Sequence, residues 1–401
     1  MGFDVDAFRL RFPSLETGVA HFDGPGGTQT PREVGEAIAR VLTGPLSNRG
    51  AATIAERNAT DAVRAMREAA GDLLAVPASG IVYGRSATQL AYDFSRHLSR
   101  DWGVGDEVVV TRLDHDSNVR PWVQAAERAG ATVRWIALDP ATGELQLDDL
   151  DEVLSERTRL VAVTAASNLI GTMPPVRAIA DAAHARGALV YVDAVHFAAH
   201  ELVDREALGA DFVVCSPYKF LGPHCAVLGA DPALLETIHP DKLAPSTGVV
   251  PERFEFGTLP YETMAGVTAA VEVWADLAPG EATDRRAALA ASFRALHAHE
   301  SALFARLERG VAQLGDRVTV WSRATRRTPT LLMTFAGRSA GEASAFLAAR
   351  DVHAPAGNFY ALEASRALGL GDAGGLRAGL APYTTADEVD RLLEGLADFL
   401  A

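Results

Sequence analysis

The chain has 401 residues, more than a single hydrophobic core usually supports, so two packed domains are expected. Apolar residues make up 48% and charged residues 22%, as in ordinary globular proteins, and a disordered chain is not expected. The formal net charge is −15 and no run of lysine or arginine occurs, so we expect no nucleic-acid partner and no membrane partner.

From about residue 60, helix-period segments alternate with short β-branched apolar segments. This alternation is typical of a parallel sheet with helices packed on both faces. The predicted strands are 81–83, 107–111, 132–136, 160–164, 189–192, 212–215 and 226–229. The predicted helices between them include 86–99, 119–129 and 176–185. The pattern therefore predicts an α/β fold with a mostly parallel seven-stranded sheet.

The last third of the chain has a different pattern. An alanine-rich helical segment over 264–314 precedes predicted strands at 318–321 and 330–335 and a final helix over 385–400. We interpret this part as a smaller α+β domain. We expect a large domain over residues 15–265 and a small domain over residues 266–401, with residues 1–14 packed against the small domain. The absence of a low-complexity linker predicts a fixed domain interface.

Two further features bear on location and redox chemistry. Residues 1–12 carry four charges and no continuous apolar segment, so a secretory signal is not expected. No apolar segment is long enough to span a bilayer, and we expect a cytoplasmic protein. The only cysteines, Cys215 and Cys225, have no second pair and no histidine at zinc-ligand spacing. We therefore expect neither a disulfide framework nor a metal site.

Polar side chains follow three of the predicted strands. Asn168 follows strand 160–164, Asp193 closes strand 189–192, and Lys219 follows strand 212–215. Ligands of open parallel sheets bind beyond these carboxyl ends. A carboxylate at the end of a buried strand is costly unless a positive group meets it. Pyridoxal 5′-phosphate (PLP) has a protonated pyridine nitrogen that needs an anion and an aldehyde that needs an amine, so Asp193 and Lys219 predict PLP held as a Schiff base on Lys219.

Other segments provide the remaining contacts that PLP needs. Ser86 is a candidate N-cap of helix 86–99, and Ala87 and Thr88 follow it, so this helix start can bind the phosphate. His115 follows strand 107–111, where its imidazole can stack on the cofactor ring. Ser216, three residues before Lys219, is also expected beside the cofactor. Taken singly, these are a capped helix, a structural histidine and a surface lysine; it is their combination that indicates PLP.

The ordered motifs closely resemble the class V aminotransferase and cysteine desulfurase family of fold-type I PLP enzymes, from residues 21–24 to the closing helix. The resemblance implies that His115, Asn168, Asp193 and Lys219 contact the cofactor, with His115, Asp193 and Lys219 in catalytic roles. The separations of 25 and 26 residues between Asn168, Asp193 and Lys219 are similar to those of the desulfurase branch.

The resemblance also implies residues that reach the substrate and a second subunit. Segment 254–258, with Gly257 and Thr258, resembles the segment whose threonine reaches the phosphate of the neighbouring subunit's cofactor, which implies a homodimer with composite active sites. Segment 376–380 resembles the motif whose arginine, here Arg377, binds the substrate carboxylate as a bidentate pair. Segment 48–50, with Arg49, resembles a substrate-proximal loop.

The sequence departs from the desulfurases at a decisive position. Cysteine desulfurases carry a sulfur-accepting thiol in a loop ahead of the substrate arginine, and the corresponding segment 352–360 contains no cysteine. His196 stands where desulfurases place a glutamine that bonds the phenolic oxygen of PLP, and we expect His196 to keep that bond. Tyr218 replaces the histidine before their lysine. We expect Asn358 to contact the substrate and its loop, with His353, Phe359 and Tyr360, to determine specificity.

These observations predict a PLP-dependent enzyme acting on a small amino acid. Without the thiol, β-elimination that cleaves a C–S or C–Se bond is the first expectation, transamination the second and epimerisation the third. A PLP-binding scaffold without catalysis is disfavoured because Lys219, Asp193, His115 and Arg377 are all present. A nucleotide-binding α/β protein is disfavoured because the chain has no Gly-Lys-Ser/Thr loop.

Overall fold

The computed structural model describes residues 3–278 and 280–401. In these residues the strands are β1 (Ala20–His21), β2 (Ile81–Gly84), β3 (Glu107–Thr111), β4 (Thr132–Ile136), β5 (Leu138–Asp139), β6 (Glu144–Leu145), β7 (Thr158–Thr164), β8 (Leu189–Asp193), β9 (Phe212–Cys215), β10 (Ala226–Ala230), β11 (Val318–Val320), β12 (Thr330–Phe335), β13 (Val352–His353), β14 (Ala356–Gly357) and β15 (Gly375–Gly379).

The α-helices of the same residues are α1 (Val5–Arg9), α2 (Arg32–Thr43), α3 (Ile54–Leu74), α4 (Ala87–Leu98), α5 (Arg120–Ala129), α6 (Leu150–Val153), α7 (Val176–His184), α8 (Arg205–Leu208), α9 (Pro232–Thr237), α10 (Tyr261–Ala275), α11 (Arg285–Gln313), α12 (Ala340–Ala348), α13 (Leu362–Ala367) and α14 (Ala386–Leu400). None of these helices has the length and apolar content needed to cross a bilayer.

Seven strands form the large sheet, in the order β2, β10, β9, β8, β7, β3, β4. Strand β10 runs antiparallel to both of its neighbours, and the other neighbouring pairs are parallel. The predicted α/β class and the mostly parallel seven-stranded sheet are confirmed. Every predicted strand of this sheet lies within two residues of its observed bounds, because buried parallel strands appear in sequence as short β-branched apolar segments.

Helices cover both faces of the large sheet. Along β8, Val190 and Val192 pack into one hydrophobic cluster with α3, α7, α10 and the first half of α11. Tyr191 points to the opposite face and packs with α4 and α5. Successive strand side chains alternate between faces, so each strand contributes to both layers. This arrangement leaves the carboxyl ends of β7, β8 and β9 along one edge of the sheet. Asn168, Asp193 and Lys219 lie at or just after these ends.

The C-terminal part contains a four-stranded antiparallel sheet in the order β11, β12, β15, β14. Helices α12 and α14 and the second half of α11 pack on it. The helical segment predicted over 264–314 is two helices, α10 and α11, because the Pro-Gly pair at 279–280 interrupts the helix-period pattern.

The division into domains at residues 265 and 266 stays a prediction. Helix α10 spans that position, and α11 contributes its first half to the large hydrophobic cluster and its second half to the C-terminal one. Near the N-terminus, Arg9 pairs with Glu388 at 3.0 Å, and β1 pairs with β13. The N-terminal and C-terminal segments therefore pack together. A domain boundary within α11 fits the division between the two hydrophobic clusters better than a boundary at residues 265 and 266.

Candidate active site

Two adjoining cavities open at the carboxyl ends of β7, β8 and β9. The larger has a volume of about 620 Å³ and the smaller about 70 Å³. Both are lined by side chains from widely separated segments: Thr88, His115, Ser117, Asn168, Tyr218 and Lys219. The smaller cavity is also lined by further positions singled out in the sequence: Ser86, Ala87, Asp193, His196 and Ser216. Arg377 lines the larger cavity. Most of the expected site residues therefore meet in one place.

Lys219 and Asp193 form the charged centre of this site. Burial lowers the pKa of Lys219 to about 7, and the charge of Arg377 acts in the same direction while Asp193 opposes it. Burial raises the pKa of Asp193 to about 6, although the Val195 N–H, which donates to its Oδ1 at 2.8 Å, and Lys219 favour the ionised form. The lysine Nζ donates a hydrogen bond to the Pro25 carbonyl. An amine with this pKa is substantially neutral near pH 7, so it can act as a nucleophile or a base.

His115 presents a neutral imidazole to both cavities. Burial lowers its pKa to about 4, with added repulsion from Lys219 and Arg377. The backbone N–H of Ser117 donates to His115 Nδ1 at 3.1 Å, so the ring proton lies on Nε2. Tyr360 stacks on the imidazole with ring centroids 5.6 Å apart. The ring is thus fixed in orientation and suited to cover the face of a flat ligand.

The start of α4 provides an anion site. Ser86 caps this helix, and its Oγ accepts a hydrogen bond from the Gln89 N–H at 3.1 Å. The first N–H groups of a helix have no partner within the helix and favour a negative charge. Ala87 and Thr88 belong to this first turn and line the smaller cavity. These groups fit a phosphate.

His196 and Asn168 carry buried polar atoms that lack a partner. His196 Nε2 contacts the hydroxyls of Thr328 and Thr330 at 2.9 and 3.2 Å, while its Nδ1 has no hydrogen-bond partner. Asn168 donates from Nδ2 to the Phe359 carbonyl at 2.9 Å, and its Oδ1 has none. An unpaired buried polar atom costs about 1–3 kcal/mol, so a ligand that pairs with these atoms fits this cavity.

Arg377 lies on β15 and is almost fully buried. Its guanidinium carbon lies 3.6 Å from the centre of the Phe359 ring, and Nη1 donates to the Asn168 carbonyl at 2.8 Å. Its Nε has no partner. Burial lowers the pKa of Arg377, and Asp23 opposes the shift. A guanidinium stays protonated at neutral pH, so Arg377 can bind a carboxylate in the larger cavity.

Five expected residues lie outside these two cavities: Arg49, Gly257, Thr258, His353 and Asn358. Arg49, Gly257 and Thr258 line a separate cavity of about 390 Å³, where Arg49 forms a bidentate pair with Glu252 at 2.6 and 2.8 Å. Asn358 donates from Nδ2 to the Asp372 carbonyl at 2.9 Å and accepts from the Tyr360 N–H at 3.0 Å. Both polar atoms of the Asn358 side chain are therefore bonded to nearby backbone groups. This gives no support to the expected contact between Asn358 and the substrate.

Sequence reasoning missed several residues of the site. Thr328 and Thr330 contact His196 from a segment more than 130 positions further along the chain, and no local pattern connects them. Tyr92 and Arg120 line the outer part of the larger cavity. Tyr92 could have been found, because it lies four residues after Thr88 on α4 and therefore on the same helix face.

Comparisons with known proteins identify a family and a similar fold. The family described as Aminotransferase class-V matches residues 20–392. An uncharacterized protein of Mycobacterium tuberculosis is 32% identical, with 99% of each chain covered. A probable cysteine desulfurase of Mycobacterium leprae is 30% identical, covering 98% of this chain and 96% of the relative. The crystal structure of the Escherichia coli cysteine desulfurase CsdA, in an S-sulfonic acid form, matches with a TM-score of 0.87 and 27% identity, covering 99% and 98% of the two chains.

The cavities and the family agree on the cofactor. A carboxylate, an amine, a stacking imidazole and a helix start for the phosphate are the groups that PLP requires, and the unpaired atoms of His196 and Asn168 can bond to its ring substituents. PLP, expected from the sequence, is also the cofactor that the family match indicates. The chain is therefore a PLP-dependent enzyme and belongs to the class-V aminotransferase family.

Proposed function

We propose that this enzyme cleaves the C–S or C–Se bond of a small amino acid by β-elimination, without forming a persulfide on its own chain. The observation that carries the proposal is the position of the thiols. The chain has two cysteines, and both are buried and absent from the lining of the cavities around Lys219. Burial raises the pKa of both thiols, that of Cys225 to about 12. A thiol that stays protonated and does not face the substrate cannot accept sulfur.

We assign a residue to each step of the proposed reaction. Bound PLP supplies an electron sink for the charge that develops at the α-carbon. Arg377 binds the substrate carboxylate, and Lys219 Nζ accepts the α-proton as general base. With PLP bound, Asp193 would hold a negative charge opposite the pyridine nitrogen and His115 would cover the ring. His196 Nδ1, which has no partner within the chain, would donate to the phenolic oxygen.

The atoms balance without an additional oxidant or reductant. The α-proton goes to Lys219, the bond between the β-carbon and sulfur breaks, and sulfur leaves with the electron pair as sulfide. Hydrolysis of the organic fragment gives a keto acid and ammonia. With L-cysteine as substrate, the products are pyruvate, ammonia and sulfide.

The relatives support sulfur chemistry, since two of those compared are described as cysteine desulfurases. Their names do not fix the substrate of this chain. The larger cavity, with Arg377 in its wall and Phe359 and Tyr360 beside it, has room for an amino acid with a substituent on sulfur or selenium. Cysteine, its conjugates and selenocysteine form the proposed substrate class.

The proposed active enzyme is a homodimer in which each subunit completes the site of the other. Gly257, Thr258 and Arg49 line a different cavity from Lys219 of their own chain. We assign Thr258 to the phosphate and Arg49 to the substrate region of the partner subunit's site.

Product analysis tests the reaction. The PLP-loaded enzyme is incubated with L-cysteine, and pyruvate, sulfide, alanine and protein persulfide are measured in one sample. We expect equal amounts of pyruvate and sulfide, with the same rate in a Cys215→Ala/Cys225→Ala variant and no product in Lys219→Ala. Alanine with persulfide, lost in the double variant, would contradict the proposal and indicate a desulfurase. A keto acid formed without sulfide would indicate transamination.

A further inference from the structure

Three candidate metal ligands meet on one face of the short parallel pair formed by β1 and β13. His21 and His353 are register partners in this pair. Asp23 lies two residues after His21, and alternate residues of an extended segment share a face. The sequence gives no hint of this group, because His21 and His353 are more than 330 positions apart and only strand pairing brings them together.

The donor atoms have spacings close to those of a metal site. His21 Nδ1 and Asp23 Oδ1 lie 3.4 Å apart. Two ligand atoms that bind a tetrahedral Zn²⁺ at about 2.0 Å are separated by about 3.3 Å. No two donor atoms of the three residues lie further apart than 4.8 Å. One donor atom from each residue is therefore close enough to the other two for a three-ligand set.

Independent observations on His21 and Asp23 also point to a ligand. His21 is only 9% exposed, so its ring can be held in place by its surroundings. Asp23 Oδ1 is shielded from solvent and has no hydrogen-bond partner, while the Asp23 side chain as a whole is 35% exposed. The nearest further contact of His21 Nδ1 is Gln29 Nε2, at a long 3.4 Å. A shielded carboxylate oxygen without a partner is costly, and a cation removes that cost.

We propose that His21, Asp23 and His353 bind a divalent transition-metal ion of the Zn²⁺ type through two imidazole nitrogens and one carboxylate oxygen. Imidazole and carboxylate together suit Zn²⁺ and its first-row neighbours, and three protein ligands leave one position for water. None of the three residues lines the cavities around Lys219, so the metal site is separate from the PLP site.

The metal would hold together the two ends of the chain. It would bridge β1, near the N-terminus, and β13, in the C-terminal sheet region. The backbone carbonyl of Asp23 also accepts the Gly26 N–H at 2.7 Å, in the loop whose Pro25 carbonyl contacts Lys219. The nearby charge of Arg377 opposes cation binding, so we expect moderate affinity and a mainly stabilising role.

Calorimetric titration of the PLP-loaded, chelator-treated protein with ZnCl₂ tests the proposal. We expect one Zn²⁺ per chain and a higher melting temperature with Zn²⁺. His353→Gln and Asp23→Asn should each weaken binding at least about 100-fold. His297→Gln, at a histidine whose side chain is 70% exposed, is the matched control and should bind as the wild type does. Circular dichroism and the PLP absorption band check that each variant is folded.

Titration with Co²⁺ gives a second readout that does not depend on the variants. Co²⁺ bound by nitrogen and oxygen ligands absorbs at wavelengths beyond the PLP band, and this absorption should saturate at one equivalent. Three results would each overturn the proposal: no saturable Zn²⁺ binding by the wild type, unchanged binding in both His353→Gln and Asp23→Asn, or loss of the bound ion in His297→Gln.

Discussion

Lys219 is held between charges that act in opposite directions. Burial and Arg377 disfavour its ammonium form, Asp193 favours it, and the resulting pKa is about 7. Only the neutral amine can take the α-proton of the substrate. The low pKa therefore follows from burial and from Arg377, the residue proposed to bind the substrate carboxylate, while Asp193, proposed to bind the pyridine nitrogen, limits the shift.

This environment predicts the pH dependence of the reaction. We expect kcat for L-cysteine elimination to rise as pH increases through about 7, because Lys219 loses its proton in that range. The profile of kcat reports on groups in the enzyme–substrate complex, so it is the quantity to measure. A kcat that falls across this range would show that the neutral lysine is not the base.

Asp114 is a second buried carboxyl near the cofactor site. Thr111 donates to it from a hydroxyl, and Asn118 Nδ2 donates to its Oδ1 at 2.7 Å. Burial nevertheless raises its pKa from 3.8 to about 8. Between these two values the folded chain holds a proton that the unfolded chain releases, so this group's contribution to the free energy of unfolding decreases as pH rises from about 4 to 8.

Replacing Asp114 tests whether this carboxyl lowers the free energy of unfolding as pH rises. In Asp114→Asn we expect the loss of unfolding free energy between pH 5 and 8 to become smaller than in the wild type, measured by urea denaturation at both values. Asp193, with a raised pKa of about 6, contributes in the same direction and remains in the variant, so part of the slope should persist. Equal slopes in the two proteins would show that Asp114 is ionised in the folded state.

For the secondary-structure elements, the sequence predicts the strand bounds of the large sheet. It does not predict the direction of β10 or the break between α10 and α11. Strands buried on both faces appear in the sequence as short β-branched segments, which is why β3 and β9 have the predicted bounds. The direction of β10 was not predicted, since an apolar strand carries no mark of whether its neighbours run parallel. The break between α10 and α11 was missed because alanine-rich sequence on both sides has helical character.

The site residues that can be predicted from the sequence are those that lie next to strands of the large sheet. Asp193 and Lys219 directly follow strands of a parallel sheet, where topology itself indicates a ligand site. Thr328 and Thr330 reach the site from the C-terminal part of the chain. Their positions depend on how that part packs against the large sheet, and single-sequence patterns do not encode this.

The start of α4 offers a test of the proposed phosphate site. Ser86→Ala removes the N-cap, and we expect a loss of about 1 kcal/mol in unfolding free energy together with weaker PLP binding. Ser339→Ala removes an equivalent cap from α12, whose residues do not line the cavities, so it should cost similar stability without changing PLP affinity. Equal PLP affinities in the two variants would argue against a phosphate site at α4.

In the proposed dimer, each active site contains residues from both subunits. Within one chain, Thr258 and Lys219 line different cavities. If Thr258 serves the partner's site, a Lys219→Ala chain paired with a Thr258→Ala chain forms one intact site and one doubly defective site. We expect such hybrids, formed by mixing and refolding the two variants and separated from both homodimers by different affinity tags on the two chains, to be more active than either variant alone.

Placing both substitutions on one chain provides the control for this experiment. A Lys219→Ala/Thr258→Ala chain paired with a wild-type chain has one defect in each site, and its activity should fall below that of the first hybrid. Equal activities in the two hybrids, or a monomer by analytical ultracentrifugation, would refute a composite site.

We expect Lys219 to carry PLP, and the lysine content of the chain allows a direct measurement. The chain has only two lysines, Lys219 and Lys242, and Lys242 lies in an exposed segment with its Nζ bonded to the Ser246 carbonyl. Borohydride reduction of the PLP-loaded protein, followed by peptide mass spectrometry, locates the attached pyridoxyl group. The account predicts this group on Lys219 alone. Labelling of Lys242, or of neither lysine, would contradict it.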